Sequence, residues 1–184
     1  MTETIFNAFP KIARYSRLCT ITEKIDGTNA SIFISDDLTE FLTASRTKWI
    51  TPENDNAGFS RWAFEHKDEL MSMGAGHHFG EWWGLGIQRK YGQARKHFSL
   101  FNTFRWSDPL VRPACCDVVP VLYEGMFEQK VIDDTVEALR EFGSQAAPGF
   151  MNPEGIVIYH HAAQMYFKKT LVGDEKPKGS KEIG

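Results

Sequence analysis

One lysine beside an Asp-Gly pair is the residue of this chain best suited to covalent chemistry. Lys24 is followed by Ile-Asp-Gly-Thr-Asn, so a second polar side chain, Asn29, lies just beyond the glycine. A lysine acts as a nucleophile when its surroundings favour the neutral amine. The segments 18–22 and 30–34 are rich in apolar and β-branched residues and predict two strands. Because Asp-Gly between two strands is typical of a tight turn, the pattern predicts a β-hairpin with Lys24 at its end.

Further charged side chains stand at or near the ends of other predicted strands, each in apolar or glycine-bearing sequence. A mostly antiparallel sheet with helices outside it brings such strand ends to one cleft. A nucleophile, cations for phosphate oxygens and a carboxylate for Mg²⁺ together suit phosphoryl or nucleotidyl transfer. The side chains are Arg46, Glu81, Glu154, Lys168 and Lys169.

Two helices are predicted among these strands. Apolar residues three to four positions apart predict one helix over about 57–73. Asp133 or Asp134 is a suitable N-cap for the second, which ends before Gly143.

Four more strands are predicted in the rest of the chain. Residues 97–104 alternate, so that Phe101 faces away from Phe98 and Phe104. Residues 118–123 predict a further strand, and 154–160 with 164–170 predict a hairpin.

Composition limits the class of protein. The 184 residues are 42% hydrophobic and 24% charged, which is enough for one domain with a substantial core. No apolar run is long enough to cross a bilayer, and we expect no membrane association. Three cysteines with one vicinal pair do not form a disulfide framework, so we expect a reducing, cytoplasmic setting.

The net charge of −3 argues against coating of nucleic acid by bulk charge, but not against a local basic groove. The segment 88–97 carries four basic residues and no acid. It is either a solvated loop or a contact to a phosphate backbone. The residues are Arg89, Lys90, Arg95 and Lys96.

Six segments resemble, in order and approximate spacing, the motif series of the covalent nucleotidyltransferases: ATP-dependent RNA ligases, DNA ligases and mRNA capping guanylyltransferases. The sequence is most similar to the nick-sealing RNA ligases of the bacteriophage T4 RNA ligase 2 type. The resemblance implies an α+β nucleotidyltransferase domain of mostly antiparallel sheets with flanking helices. It also implies ATP and Mg²⁺ (or Mn²⁺), and RNA ends or a nicked duplex, including an RNA/DNA hybrid, as substrate. The segments are 24–29, 45–46, 79–84, 98–101, 154–158 and 167–170.

The resemblance assigns the reacting groups. Lys24 attacks the α-phosphorus of ATP and forms a lysyl-AMP intermediate, and Glu154 coordinates the metal. Lys168 and Lys169 contact the phosphates, where the family usually has Lys-x-Lys. Strand alternation sends two adjacent lysines to opposite faces, so we expect one of them, Lys168, to enter the cleft. A buried Glu154 needs a metal or a lysine as partner.

The resemblance also assigns nucleotide contacts. Arg46 approaches the phosphates or ribose, and Glu81 accepts a hydrogen bond from a ribose hydroxyl. Asn29 contacts the nucleotide or a metal-bound water. Phe101 stacks on the adenine, with Phe98 as the alternative.

Glu23 and Ile25 flank the lysine in the sequence. The side chain of Glu23 points away from the site, so the expected contacts of this segment to adenine are made by its main chain.

The predicted organisation is a nucleotidyltransferase domain over 1–172 and a mobile tail over 173–184, without the C-terminal accessory domain of the ligases. A partner protein is one source of such a domain. A DNA ligase or a guanylyltransferase is the alternative enzyme, since Phe101 stacks on either purine. A non-catalytic module that binds nucleotides or nucleic-acid ends is the third reading, and the presence of both Lys24 and Glu154 counts against it.

Overall fold

The computed structural model describes residues 6–175, which form two sheets and four α-helices. Residues 176–184 of the predicted tail lie outside the described residues. Within 6–175, no helix is long and apolar enough to cross a membrane. The smaller sheet has the strand order β10-β9-β1-β8, with β1 Leu18–Lys24, β8 Val121–Met126, β9 Gly155–His160 and β10 Met165–Thr170.

The larger sheet has the order β4-β3-β2-β5-β6-β7, and all its pairings are antiparallel except β6 with β7. The α+β class and the predominance of antiparallel pairing are therefore confirmed. Its strands are β2 Thr28–Ile34, β3 Phe41–Ser45, β4 Trp49–Ile50, β5 Gly76–Gly84, β6 Lys96–Leu100 and β7 Asp117–Val118.

Each sheet packs helices against one of its two faces. The larger sheet buries Ile32, Phe98 and Leu100 against α1 Phe59–Glu65, α2 Lys67–Leu70 and the 3₁₀ turn Met71–Met73. The smaller sheet buries Ile21, Ile156 and Ile158 against α4 Gln129–Phe142. Burial of these apolar side chains stabilises each layer and fixes which residues of each strand face away from the helices.

The predicted hairpin around Lys24 is wrong. Strand β1 pairs with β8 and β9, whereas β2 pairs with β3 and β5, so residues 25–27 carry the chain from one sheet to the other. Gly27 does not have the positive φ of a hairpin turn. A Cβ at Gly27 would lie 2.4 Å from the carbonyl oxygen of Trp82, so glycine is needed here because the crossing segment passes directly over β5.

Both predicted helices exist with different boundaries. The first is divided at His66, whose ring is 2.8 Å from the carbonyl oxygen of Trp62, and it continues as α2 and the 3₁₀ turn. The second begins at Gln129, four or five residues before the predicted caps Asp133 and Asp134, and ends at Phe142, before Gly143 as predicted.

Two predicted strands are shorter than expected. Strand β6 ends at Leu100, because the side chain of Asn102 accepts a hydrogen bond from Arg105 N–H and caps the helix α3 Thr103–Trp106. The predicted strand 118–123 is two strands in different sheets, separated by Val119 and Pro120. The predicted hairpin of β9 and β10 is confirmed.

Candidate active site

Lys24 and Glu154 form an ion pair at the ends of two neighbouring strands. Lys24 is the last residue of β1 and lies opposite Gly155, the first residue of β9, so Glu154 stands directly beside it. Lys24 Nζ is 2.6 Å from Glu154 Oε2. The Glu154 side chain is 7% exposed and that of Lys24 is 24% exposed. The expectation that a buried Glu154 needs a cationic partner therefore agrees with the structure.

Glu81 lies in β5 next to the crossing segment. Its Oε1 accepts a hydrogen bond from Gly27 N–H at 3.0 Å, and its Oε2 accepts one from Asn29 Nδ2 at 2.7 Å. Burial raises the pKa of Glu81 to about 7, although Asn29, Lys24 and Gly27 each act to lower it. The charge of Glu154 also raises this pKa, which places Glu81 within electrostatic range of the Lys24–Glu154 pair.

The carboxylates near Lys24 suit a divalent cation that is also coordinated by phosphate oxygens of a nucleotide. Within residues 6–175, no group of three or more His, Cys, Asp or Glu side chains is arranged to hold a metal by itself. Mg²⁺ is usually held by one or two carboxylates together with phosphates. Glu154 fits that role, because its buried carboxylate lies at the end of β1 beside Lys24.

The two adjacent lysines of β10 lie on opposite faces. Lys168 pairs with Val157 of β9, and the same register places it on the face of the sheet that carries Lys24. Lys169 lies on the helix-covered face, and its Nζ is 2.7 Å from Oδ1 of Asp133 on α4. The structure therefore does not bring Lys169 to Lys24, which corrects its assignment as a catalytic residue, whereas Lys168 lies where we expected it.

Phe101 lies on the face of the larger sheet that carries Glu81, and Phe98 lies on the opposite face. Phe101 N–H donates to the carbonyl oxygen of Phe79 at 3.0 Å, so the alternation of β5 and β6 continues to Phe101 and places it on the face of Glu81. Phe101 is 39% exposed. Phe98 is fully buried against Phe59 in the core of the larger sheet and cannot stack on a nucleotide. Phe101 remains the predicted adenine contact.

The model of a family described as RNA ligase matches residues 17–170. The chain belongs to the RNA ligase family. Comparison with curated protein sequences gave no match.

The fold of this RNA ligase chain is similar to solved structures of Naegleria gruberi RNA ligase. One with ATP and Mn has a TM-score of 0.62 and 17% identity, covering 85% of this chain and 50% of that one. One with AMP and Mn has a TM-score of 0.59 and 17% identity, with the same coverage. An apo form, R4a, has a TM-score of 0.56 and 18% identity, covering 83% and 49%. The chain thus spans about half the length of the solved structures that it matches.

The side chains of Glu23 and Ile25, the residues before and after Lys24, contribute to the structure of the domain and lie away from the site. The Glu23 carboxylate accepts hydrogen bonds from Ser144 Oγ at 2.6 Å and from the N–H groups of Gln145 and Ala146 at 2.8 and 2.9 Å. The Ile25 side chain is buried in an apolar cluster. Neither side chain reaches the site face, and contacts of their main chain to adenine remain a prediction.

Arg89, a candidate for contact with nucleic acid from its sequence, holds two segments of the site together. Its Nε is 3.0 Å from Asp26 Oδ2, and its Nη1 donates to Asn152 Oδ1 at 2.9 Å. The guanidinium thereby ties the crossing segment to the loop that leads to Glu154. Tyr91 supports the same segment, since its hydroxyl accepts a hydrogen bond from Asp26 N–H at 2.9 Å. The basic character of the loop was visible in the sequence, but its partners were not.

The other predicted nucleic-acid contacts lie in different surroundings. Lys96 Nζ donates to the carbonyl oxygen of Ala57 at 2.7 Å, on the helix-covered side of the larger sheet, and its contact with nucleic acid remains a prediction. Lys90 and Arg95 are exposed, and their contact with nucleic acid remains a prediction. Arg46 is exposed in the turn between β3 and β4, and its approach to the phosphates remains a prediction as well.

Proposed function

We propose that this chain is an ATP-dependent RNA ligase that acts through a lysyl-AMP intermediate. The neutral amine of Lys24 attacks the α-phosphorus of ATP, a P–N bond forms and the P–O bond to pyrophosphate breaks. Pyrophosphate leaves, and the nitrogen releases one proton to solvent. The observation that carries this proposal is the Lys24–Glu154 pair beside the buried carboxylate of Glu81. Binding alone does not require a nucleophilic lysine next to a buried acid.

The surrounding residues have distinct tasks in this proposal. Lys168 stabilises negative charge on the phosphates, and Glu81 accepts a hydrogen bond from a ribose hydroxyl. Phe101 stacks on the adenine. Glu154, together with the phosphates, holds Mg²⁺ or Mn²⁺, which offsets phosphate charge. The solved RNA ligases of similar fold that contain ATP or AMP and Mn support these ligands.

The later steps follow from the chemistry of the intermediate. The AMP passes from Lys24 to the 5′-phosphate of an RNA end, and a 3′-hydroxyl then attacks that phosphate and releases AMP. The substrates are RNA ends, either at a nick in RNA or an RNA/DNA hybrid or on separate strands, with further contacts from a partner protein. A reducing cytoplasm, of the host if the protein is viral, suits the three free cysteines.

The test is covalent labelling with ATP that carries the label at its α-phosphate. We expect the wild-type chain to become labelled in the presence of Mg²⁺ and Lys24→Arg to remain unlabelled. Arginine keeps a positive charge next to Glu154 but cannot act as the nucleophile. Lys130→Arg is the matched control, because Lys130 is an exposed residue of α4 that pairs with Asp134.

Three outcomes would contradict the proposal: an unlabelled wild type, a labelled Lys24→Arg variant, or labelling with GTP in place of ATP. The last would indicate a capping-type guanylyltransferase. Nicked RNA and nicked DNA duplexes then separate an RNA ligase from a DNA ligase, since we expect sealing of the RNA.

A further inference from the structure

We propose that an aromatic strip on the open face of the larger sheet binds unpaired bases of a single-stranded RNA end. The strip consists of Phe33, Trp49, His77 and Phe79. It lies on the face of the sheet that carries Glu81, and it begins at Phe79, which lies opposite the predicted adenine contact Phe101. This inference rests on the proposed function, and it specifies the RNA substrate as a strand with unpaired bases near the reacting end.

The strip is continuous with the nucleotide site along two strands. In the register of β2 and β5, Asn29 lies opposite Glu81, Ser31 opposite Phe79, and Phe33 opposite His77. Side chains two positions apart share a face and are roughly 7 Å apart, so His77 lies roughly 13 Å from Glu81 along β5. That distance corresponds to about four steps of stacked bases at ~3.4 Å each.

The rings are arranged as a stacking surface. Trp49 and His77 stack with centroids 5.8 Å apart and an interplanar angle of 18°, and the His77 and Phe79 centroids are 4.2 Å apart. Phe33 meets Trp49 and His77 edge-on. A hydrogen bond of 2.9 Å between His77 Nε2 and Ser31 Oγ fixes the orientation of the imidazole.

Much of this aromatic surface is open to solvent. Trp49 is 54% and Phe79 is 53% exposed. The opposite face of β2 and β5 already supplies the core, through Ile32 and Trp82, so these rings are not required to fill it. Contiguous exposed apolar surface of this kind marks a site of interaction.

The surrounding charge favours nucleic acid over an apolar protein partner. Arg46 and Lys48 are exposed in the turn that leads directly into Trp49. Burial lowers the pKa of His77, so its ring is neutral at pH 7 and offers a face for stacking. Aromatic rings for bases beside cations for phosphates are the usual combination in sites that bind single strands. A nick in a duplex would not use the strip, because its bases are paired and stacked.

The experiment measures the Kd of a short 5′-phosphorylated single-stranded RNA by fluorescence anisotropy. We compare the wild type with Trp49→Ala, Phe79→Ala and the matched control Phe142→Ala, whose ring is 71% exposed at the end of α4, behind the smaller sheet. Loss of one stacked base should raise the Kd roughly 5- to 100-fold in the first two variants. The control should bind as the wild type does. An abasic strand of the same length should bind equally to all four proteins.

The inference is wrong if Trp49→Ala and Phe79→Ala bind the RNA as tightly as the wild type, or if Phe142→Ala weakens binding equally. It is also wrong if the two variants lose the same affinity for duplex RNA or for the abasic strand. Dimerisation of the wild type that disappears in Trp49→Ala would assign the strip to a second copy of the chain and overturn the proposal.

The same variants separate this inference from the proposed function. We expect Trp49→Ala to retain covalent labelling with ATP, because Trp49 lies outside the residues assigned to the nucleotide, and labelling also shows that this variant is folded. Phe79 lies directly opposite Phe101, so the folding of Phe79→Ala is checked by circular dichroism instead. Absence of labelling in the wild type would contradict the proposed function, while the comparison of RNA affinities would still decide the role of the strip.

Discussion

The two sheets contribute different kinds of groups where they meet at the crossing segment 25–27. The smaller sheet contributes charged side chains: Lys24 at the end of β1, Glu154 just before β9, and Lys168 in β10. The larger sheet contributes Glu81, fixed by neutral donors, and a row of aromatic rings on the same face. In the proposed function, the smaller sheet therefore carries out the transfer and the larger sheet recognises nucleoside and bases.

The two buried acids show the same division. Glu154 has an ammonium group at 2.6 Å, a partner that can be exchanged for another cation. Glu81 has an N–H and an amide as its hydrogen-bond partners, and these do not offset the cost of burial, so its pKa is raised to about 7. An exchangeable ion pair suits a reacting group, and a fixed acceptor suits the recognition of a hydroxyl.

The adjacent lysines of β10 give the sharpest test of this division. Lys168→Ala should reduce the rate of lysyl-AMP formation roughly 100- to 1,000-fold, because a cation on the phosphates is lost. Lys169→Ala should change that rate less than about threefold, since it removes only an exposed ion pair with Asp133. Single-turnover labelling with ATP measures both rates. Equal losses in the two variants would contradict the assignment of the faces.

Substitution of Glu23 tests whether a buried acid of the smaller sheet stabilises the fold without taking part in the reaction. Glu23→Ala leaves Ser144 Oγ and the N–H groups of Gln145 and Ala146 without their acceptor, and should lower the free energy of unfolding by roughly 3–5 kcal/mol. The folded fraction should still become labelled. Urea unfolding and labelling below the transition measure the two effects, and a stable variant without labelling would instead place Glu23 in the reaction.

Local features of the site followed from the sequence. Alternation along β10 separated Lys168 from Lys169, and alternation along β6 separated Phe101 from Phe98, because the direction of a strand side chain is fixed by its period of two. The RNA ligase resemblance placed Lys24, Glu81 and Glu154 in one site, and the structure brings these three together.

Long-range partners did not follow from the sequence. The Asp-Gly pair after Lys24 predicted a hairpin, but the choice between a turn and a crossing depends on β5, more than 50 residues later, over which Gly27 passes. The same limit applies to Glu23, whose donors lie over 120 residues away, and to Arg89, which contacts Asp26. The pattern of a segment predicts its own conformation, but not which distant segment will satisfy its polar groups.

The pH dependence of stability tests the fixed environment of Glu81. Its folded-state pKa of about 7 lies above the ordinary 4.5, so the folded chain holds this proton after the unfolded chain has released it. The contribution of Glu81 to the free energy of unfolding is therefore complete below about pH 4.5 and falls by roughly 2–3 kcal/mol as the pH rises to about 7.

The variant Glu81→Gln has a side chain of similar shape that does not titrate. Urea unfolding of both proteins between pH 5 and pH 8 should show the wild type losing stability relative to the variant and levelling off above pH 8. A constant difference, or a gain by the wild type, would mean that the donors of Gly27 and Asn29 outweigh burial, and that the pKa of Glu81 is not raised in the folded chain.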